Sequence, residues 1–228
     1  MPTLPARILT PPLREGDHLT PDEFLRRWEA MPVLKHAELI DGIVHMPSPV
    51  SSPHSGFHWQ LAIWLGTYAN NTPGCDGGMD GTWLMDDRSV PQPDLALRIA
   101  AERGGQSRIE GEYPVGAPEL VLEVAVSSAA RDLGAKLKLY ERNGVREYLI
   151  AVTGKQQFLW KELTEPGYQP LDPSEDGIIR SRCFPGLWLD PDALWRCDWK
   201  RLDDVLRKGL ASPEHAAFVA RLEWPSSR

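Results

Sequence analysis

The chain has 228 residues, 42% of them hydrophobic, which is enough to bury a full core as one domain or one domain with a small appendage. A formal net charge of −7 argues against strong non-specific nucleic-acid binding, because lysine and arginine neutralising phosphates supply most of that affinity, but it does not exclude an enzyme acting on nucleic acid. A core of that size needs no disulfide framework, and three scattered cysteines, Cys75, Cys183 and Cys197, with no C-x-x-C, give no support to a zinc ribbon or a redox motif. No apolar run approaches bilayer length and the proline-interrupted start offers no signal segment, so a cytoplasmic location is expected.

In chain order, Thr20-Pro21-Asp22-Glu23 combines an N-cap, a proline at the first helical position and a glutamate at N3, which predicts a short helix to about Glu29. Residues 37–46 read as a hairpin about Asp41-Gly42, ended by Pro47, Pro49 and Pro53. From His54 to about Asn70, Phe57, Leu61, Trp64, Leu65 and Tyr68 recur at helical intervals and predict an amphipathic helix packed on a sheet. Strands are expected at Thr82 to Met85 and Pro93 to Ile99, and a long loop at 101–118.

Leu120 to Val126 is a continuous apolar run, as in a central strand covered on both faces, and a helix from Ala130 to Asn143 follows it, stopped at Asn143-Gly144. Glu147 to Val152 and Gln157 to Lys161 read as a hairpin. After a polar stretch to Asp176, an edge strand is expected within Ile178 to Phe184, and Asp190-Pro191 and Ser212-Pro213 each start a short helix. The fold class this predicts is α/β, a mixed central β-sheet flanked by helices with a short helical C-terminal appendage. The expected divisions are a flexible N-terminal tail (1–17), the sheet domain (18–195) and the appendage (196–228). Neither a dinucleotide-binding nor a P-loop glycine motif occurs.

The chemistry is carried by Pro93-Asp94, by Glu123 within Leu120-Val121-Leu122-Glu123-Val124-Ala125-Val126, and by Lys136. A carboxylate inside an apolar strand is costly unless compensated, and a second carboxylate with a divalent cation is a common compensation. Two adjacent strands and the next helix bring Asp94, Glu123 and Lys136 to one sheet edge, the set a metal-assisted hydrolase needs. The bland alternatives are a turn aspartate, a buried Glu123–arginine pair, a surface Asp132–Lys136 pair and, for Glu38, a pair with Lys35 or Arg146. Between Arg131 and Glu147 the chain turns locally cationic, with five basic residues against three acidic ones. His54 and His58 stand at i, i+4, a zinc-clamping spacing with no evident third ligand; His54 reads as a group beside the site and His58 as ordinary surface or interface. The tryptophans, including Trp59, Trp64, Trp160 and Trp188, read mostly as core.

Taken together, Glu38-Leu39-Ile40-Asp41-Gly42, His54, Pro93-Asp94, Leu122-Glu123-Val124, Ser128, Arg131-Asp132, Lys136, Tyr140 and Gly144-Val145-x-Glu147-Tyr148 resemble the Uma-two (Uma2) family of bacterial restriction-endonuclease-like proteins, within the PD-(D/E)xK nuclease superfamily. The resemblance runs over roughly residues 18 to 165. It implies a restriction-endonuclease-like fold with Asp94 and Glu123 as metal ligands and a lysine moved from the strand to the helix, since Ala125 stands two residues after Glu123. Val126-Ser127-Ser128 and Val152-Thr153 depart from the family's Ser-Pro-Ser and Asp-Pro segments.

The expected activity is metal-dependent endonucleolytic hydrolysis of phosphodiester bonds, with DNA as the partner and a homodimer as a possible assembly. Asp94, Glu123 and the Val124 carbonyl would hold Mg²⁺ or Mn²⁺, Lys136 would act on the water or the transition state, Glu38 would be an outer ligand, and Asp132, Ser128 and Tyr140 would support them. The alternatives are an inactive nuclease-fold binding or assembly module and a zinc hydrolase built on His54 and His58.

Overall fold

The structure, a computed structural model, describes residues 10–46, 52–125 and 130–223, without the side chains of 52–54 and 130–133. Helix α1 (Pro21–Glu29) starts as its sequence dictates: the Thr20 hydroxyl accepts from the Glu23 amide and Pro21 opens the first turn. Strands β1 (Glu38–Ile40) and β2 (Ile43–His45) pair antiparallel about Asp41 and Gly42, both at positive φ, as a tight two-residue hairpin requires. Leu13, Phe24, Leu39, Val44 and Val90 form a small core that fastens α1 to this hairpin.

The chain continues through α2 (Ser52–Asn70), β3 (Cys75–Met79), β4 (Leu95–Ile99), the small hairpin β5 (Arg108–Glu110) and β6 (Tyr113–Val115), and β7 (Leu120–Ala125). Then come α3 (Ala130–Arg142), β8 (Glu147–Val152), β9 (Gln157–Thr164), β10 (Gly167–Pro170), β11 (Ile179–Arg180), β12 (Trp188–Leu189), α4 (Pro191–Trp195), α5 (Trp199–Leu210) and α6 (Pro213–Glu223). Six strands form a mixed sheet in the order β10-β9-β8-β7-β4-β3, in which β7 and β8 are parallel and the other neighbours antiparallel. A parallel pair needs a crossover, and α3 supplies it.

Every residue of β7 is buried because both faces are covered. Leu120, Leu122 and Val124 meet Leu61, Trp64, Leu65 and Tyr68 of α2, while Val121 shares the opposite core with Leu139 and Tyr140 of α3 and with Tyr148 and Ile150 of β8. Leu202, Leu206, Phe218 and Leu222 of α5 and α6 join the core on the α2 side, so these C-terminal helices share the sheet's own hydrophobic cluster. No helix among the described residues is long and apolar enough to cross a membrane.

Several elements differ from the sequence expectation. Residues 82–85 are not a sheet strand; Leu84 makes one isolated bridge to Val115, and the strand that pairs with β4 on the side away from β7 is the Cys-Asp-Gly-Gly-Met segment of β3. Two glycines conceal strand character, and β3 is formed by its pairing to β4 rather than by propensity. Strand β10, hidden behind a turn-like Gly-Tyr-Gln-Pro, is fixed by the Tyr168 hydroxyl donating to the Val145 carbonyl at 2.7 Å. Within 178–184 only Ile179–Arg180 is a strand, and it pairs with β12 outside the main sheet. The predicted loop at 101–118 contains the β5/β6 hairpin, and α5, not predicted, carries an Asp198 N-cap that accepts from the Arg201 amide.

Candidate active site

Strand alternation directs Glu123 away from α2 and towards α3, between the flanking core residues Val121 and Ala125. It is 6% exposed, and Oε1 accepts from both Lys136 Nζ at 3.0 Å and Tyr140 Oη at 2.9 Å. Lys136 and Tyr140 lie one turn apart on α3, so the crossover that makes β7 and β8 parallel also lays both donors over Glu123. The Lys136 ammonium reaches a second carboxylate, Glu38 Oε1 of β1, at 2.9 Å. Glu38 Oε1 in turn accepts from the Gln92 amide at 2.8 Å, two residues before Asp94.

Asp94 precedes β4. The antiparallel register pairs Leu95 with Leu122, and one step further sets Asp94 beside Glu123. Its Oδ2 accepts from the Val124 amide at 2.6 Å, tying it to β7 one residue past Glu123. The structure thus brings Asp94, Glu123, Lys136 and Glu38 into one cluster. Ser128 and the side chains of Asp132 and His54 lie outside the described residues.

Burial pushes the Glu123 carboxyl up to about 8; the Lys136 charge opposes this, and the neighbouring Asp94 and Glu38 carboxylates add to it. Burial works against the charge on Lys136, but Glu123 and Glu38 outweigh it and its pKa is raised. The Tyr140 hydroxyl is also raised, by burial first and then by Glu123, so it is a hydrogen-bond donor at neutral pH. Among the described residues, one cation therefore stands among three carboxyl groups.

His58, read from sequence as ordinary surface or interface, stands at the cluster's edge. Its Nε2 donates to the Asp94 carbonyl oxygen at 3.0 Å, and the Asp80 amide donates to the same oxygen at 3.2 Å. A ring nitrogen of His58 and carboxylate oxygens of Asp80 and Asp94 lie within 4.8 Å of one another. The histidine spacing was legible, but the approach of Asp80 was not, because it depends on β3 pairing with β4. Trp59, next to His58, is 63% exposed rather than core, whereas Trp64 and Trp160 are buried.

Glu147 and Glu119 are also buried and have no part in this cluster. Glu147 accepts from Trp160 Nε1, Ser181 Oγ and the Arg182 and Cys183 amides at 2.6–3.0 Å, and Glu119 accepts from the Ile99 and Gln106 amides. They tie loops to strand ends.

The Uma2 family profile, described as "Putative restriction endonuclease", matches residues 21–206. Among solved structures, a crystal structure of a "putative nuclease" from Anabaena variabilis ATCC 29413 is similar with a TM-score of 0.62 at 16% identity, over 79% of this chain and 98% of that one. No curated protein matches. The family match covers most of the chain and includes Glu38, Asp94, Glu123 and Lys136; the chain belongs to the Uma2 family.

Proposed function

We propose that this chain is a divalent-metal-dependent endonuclease that hydrolyses phosphodiester bonds of DNA. The observation that carries the reading is the convergence of Asp94, Glu123, Glu38 and Lys136 at the end of the central strand. The donor set suits a hard divalent cation: two oxygen ligands from neighbouring carboxylates, with one ammonium too little, among the described residues, to balance three carboxyl groups. Asp94, Glu123 and the Val124 carbonyl would hold Mg²⁺ or Mn²⁺, which when bound polarises a phosphoryl oxygen and lowers the pKa of a coordinated water.

The chain's own residues have separable tasks. Lys136 carries three ammonium hydrogens, and its two carboxylate partners among the described residues take two of them, so the third would serve a water or a phosphoryl oxygen. Glu38 fixes the lysine from the β1 side, and Tyr140 holds the Glu123 carboxylate in its rotamer. A homodimer would present one such centre to each strand of a duplex, and a cytoplasmic location fits a DNA substrate.

The test is incubation of the chain with supercoiled, linear and single-stranded DNA and with RNA, in Mg²⁺, in Mn²⁺ and in chelator. The reading expects cleavage of DNA that needs the cation and is abolished in Asp94→Ala. Absence of cleavage on every nucleic acid with either ion would replace it with an inactive nuclease-fold binding module.

A further inference from the structure

We infer that His58, Asp80 and Asp94 form a second divalent-cation site next to the Asp94–Glu123 centre, one that takes a nitrogen-accepting ion such as Mn²⁺ rather than Mg²⁺. Three separate elements supply the ligands: α2 gives His58, the turn after β3 gives Asp80, and the residue before β4 gives Asp94. Their ligand atoms are all within 4.8 Å of one another, close enough for one ion to draw them together with small rotamer changes.

Hydrogen bonds to backbone carbonyls hold this arrangement in place. The Asp94 carbonyl oxygen receives both the His58 ring and the Asp80 amide, so one atom holds the imidazole and the Asp80 backbone at a set separation from the Asp94 carboxylate. Asp80 is anchored again by its own carbonyl, which accepts from Gln92 Nε2 at 3.3 Å, and the Gln92 amide is held by Glu38 of the neighbouring cluster. All three ligands are half-buried, open enough to admit an ion from solvent and shielded enough to hold it.

The ligand types decide which ion. Two carboxylates with one imidazole suit manganese and other first-row ions, while magnesium favours oxygen and keeps its waters. Asp94 lies between the two centres, with Glu123 on one side and His58 and Asp80 on the other, so a second ion would sit beside the one proposed above. Only the adjacency rests on the nuclease reading; the binding itself does not.

The experiment is Mn²⁺ binding to the full chain, followed by electron paramagnetic resonance for stoichiometry and by nitrogen modulation of the bound-ion signal in protein labelled with ¹⁵N-histidine. The wild-type chain should bind two Mn²⁺ and show histidine nitrogen coupling. His58→Gln should lose the coupling and one ion, Asp80→Asn should lose the same ion, and Glu123→Gln should retain the coupled one. Melting curves without metal identify any variant that has not folded, and the other of the His58 and Asp80 pair then decides. One ion that needs Glu123, with no histidine coupling, would overturn this inference and leave the proposed nuclease centre standing. One coupled ion that survives Glu123→Gln would support this site and overturn the Glu123 site. No bound ion would overturn both.

Discussion

Replacing Glu123 by glutamine in the metal-free chain should change stability by an amount that shifts in the variant's favour as pH rises. The folded carboxyl is pushed up to about 8, by burial above all and by Asp94 and Glu38 against the opposing Lys136, from an ordinary value of 4.5. Between those two values the unfolded chain has lost the proton and the folded chain keeps it. The folded state therefore binds more protons there, and wild-type stability falls as pH rises through this window. The full interval of about 3.5 units, at about 1.4 kcal/mol per unit, is worth on the order of 5 kcal/mol. Between pH 5 and pH 7.5 it is worth roughly 3 kcal/mol, or about 6–12 °C in melting temperature for a chain of this size. Glu147, also raised by burial, adds a slope of the same sign to both proteins and cancels in the difference. Lys136 stays charged throughout, so its weakened contact in the variant adds a constant offset. The assay is thermal melting of both proteins in chelator at half-unit steps. Glu123→Gln should gain on wild type steadily as pH rises, and a constant difference from pH 5 to pH 7.5 would refute the reasoning.

Lys136→Met should lower DNA cleavage by two orders of magnitude or more without weakening Mn²⁺ binding, whereas Asp94→Ala should remove both; steady-state cleavage and calorimetry separate the two. The same Lys136→Met change takes the ammonium from between Glu38 and Glu123, and should cost about 3–5 kcal/mol in urea melts without metal at pH 7.5. Glu147→Ala orphans four donors, including the Trp160 indole, and should destabilise the fold by about 3 kcal/mol or more while leaving Mn²⁺ affinity unchanged, as read by urea melts and calorimetry. Gly209→Ala would place a methyl 2.1 Å from the Gly186 carbonyl oxygen, so α5 should be displaced from that loop with a loss of several degrees in melting temperature.

Much of the fold was legible because the signals were local. The Thr20 cap, the Asp41-Gly42 turn and the helical periodicity of α2 are properties of short segments, and the continuous apolar run of β7 reports covering on both faces. The same logic exposed Glu123, since a charge in such a run demands a partner, and the spacing to Lys136 is what a strand followed by a crossover helix requires. Only the tertiary structure decided the rest. Strand β3 exists because β4 offers it a ladder, and nothing in Cys-Asp-Gly-Gly-Met announces it. That pairing carries Asp80 to Asp94, and the packing of α2 on the sheet brings in His58, which periodicity alone left on the surface. Glu38 and Lys136 are 98 residues apart and meet through the placement of a short hairpin against α3. Local sequence sets the conformational preference of each segment, but which charges end up in contact depends on strand order and register, and these are fixed by burial across the whole chain.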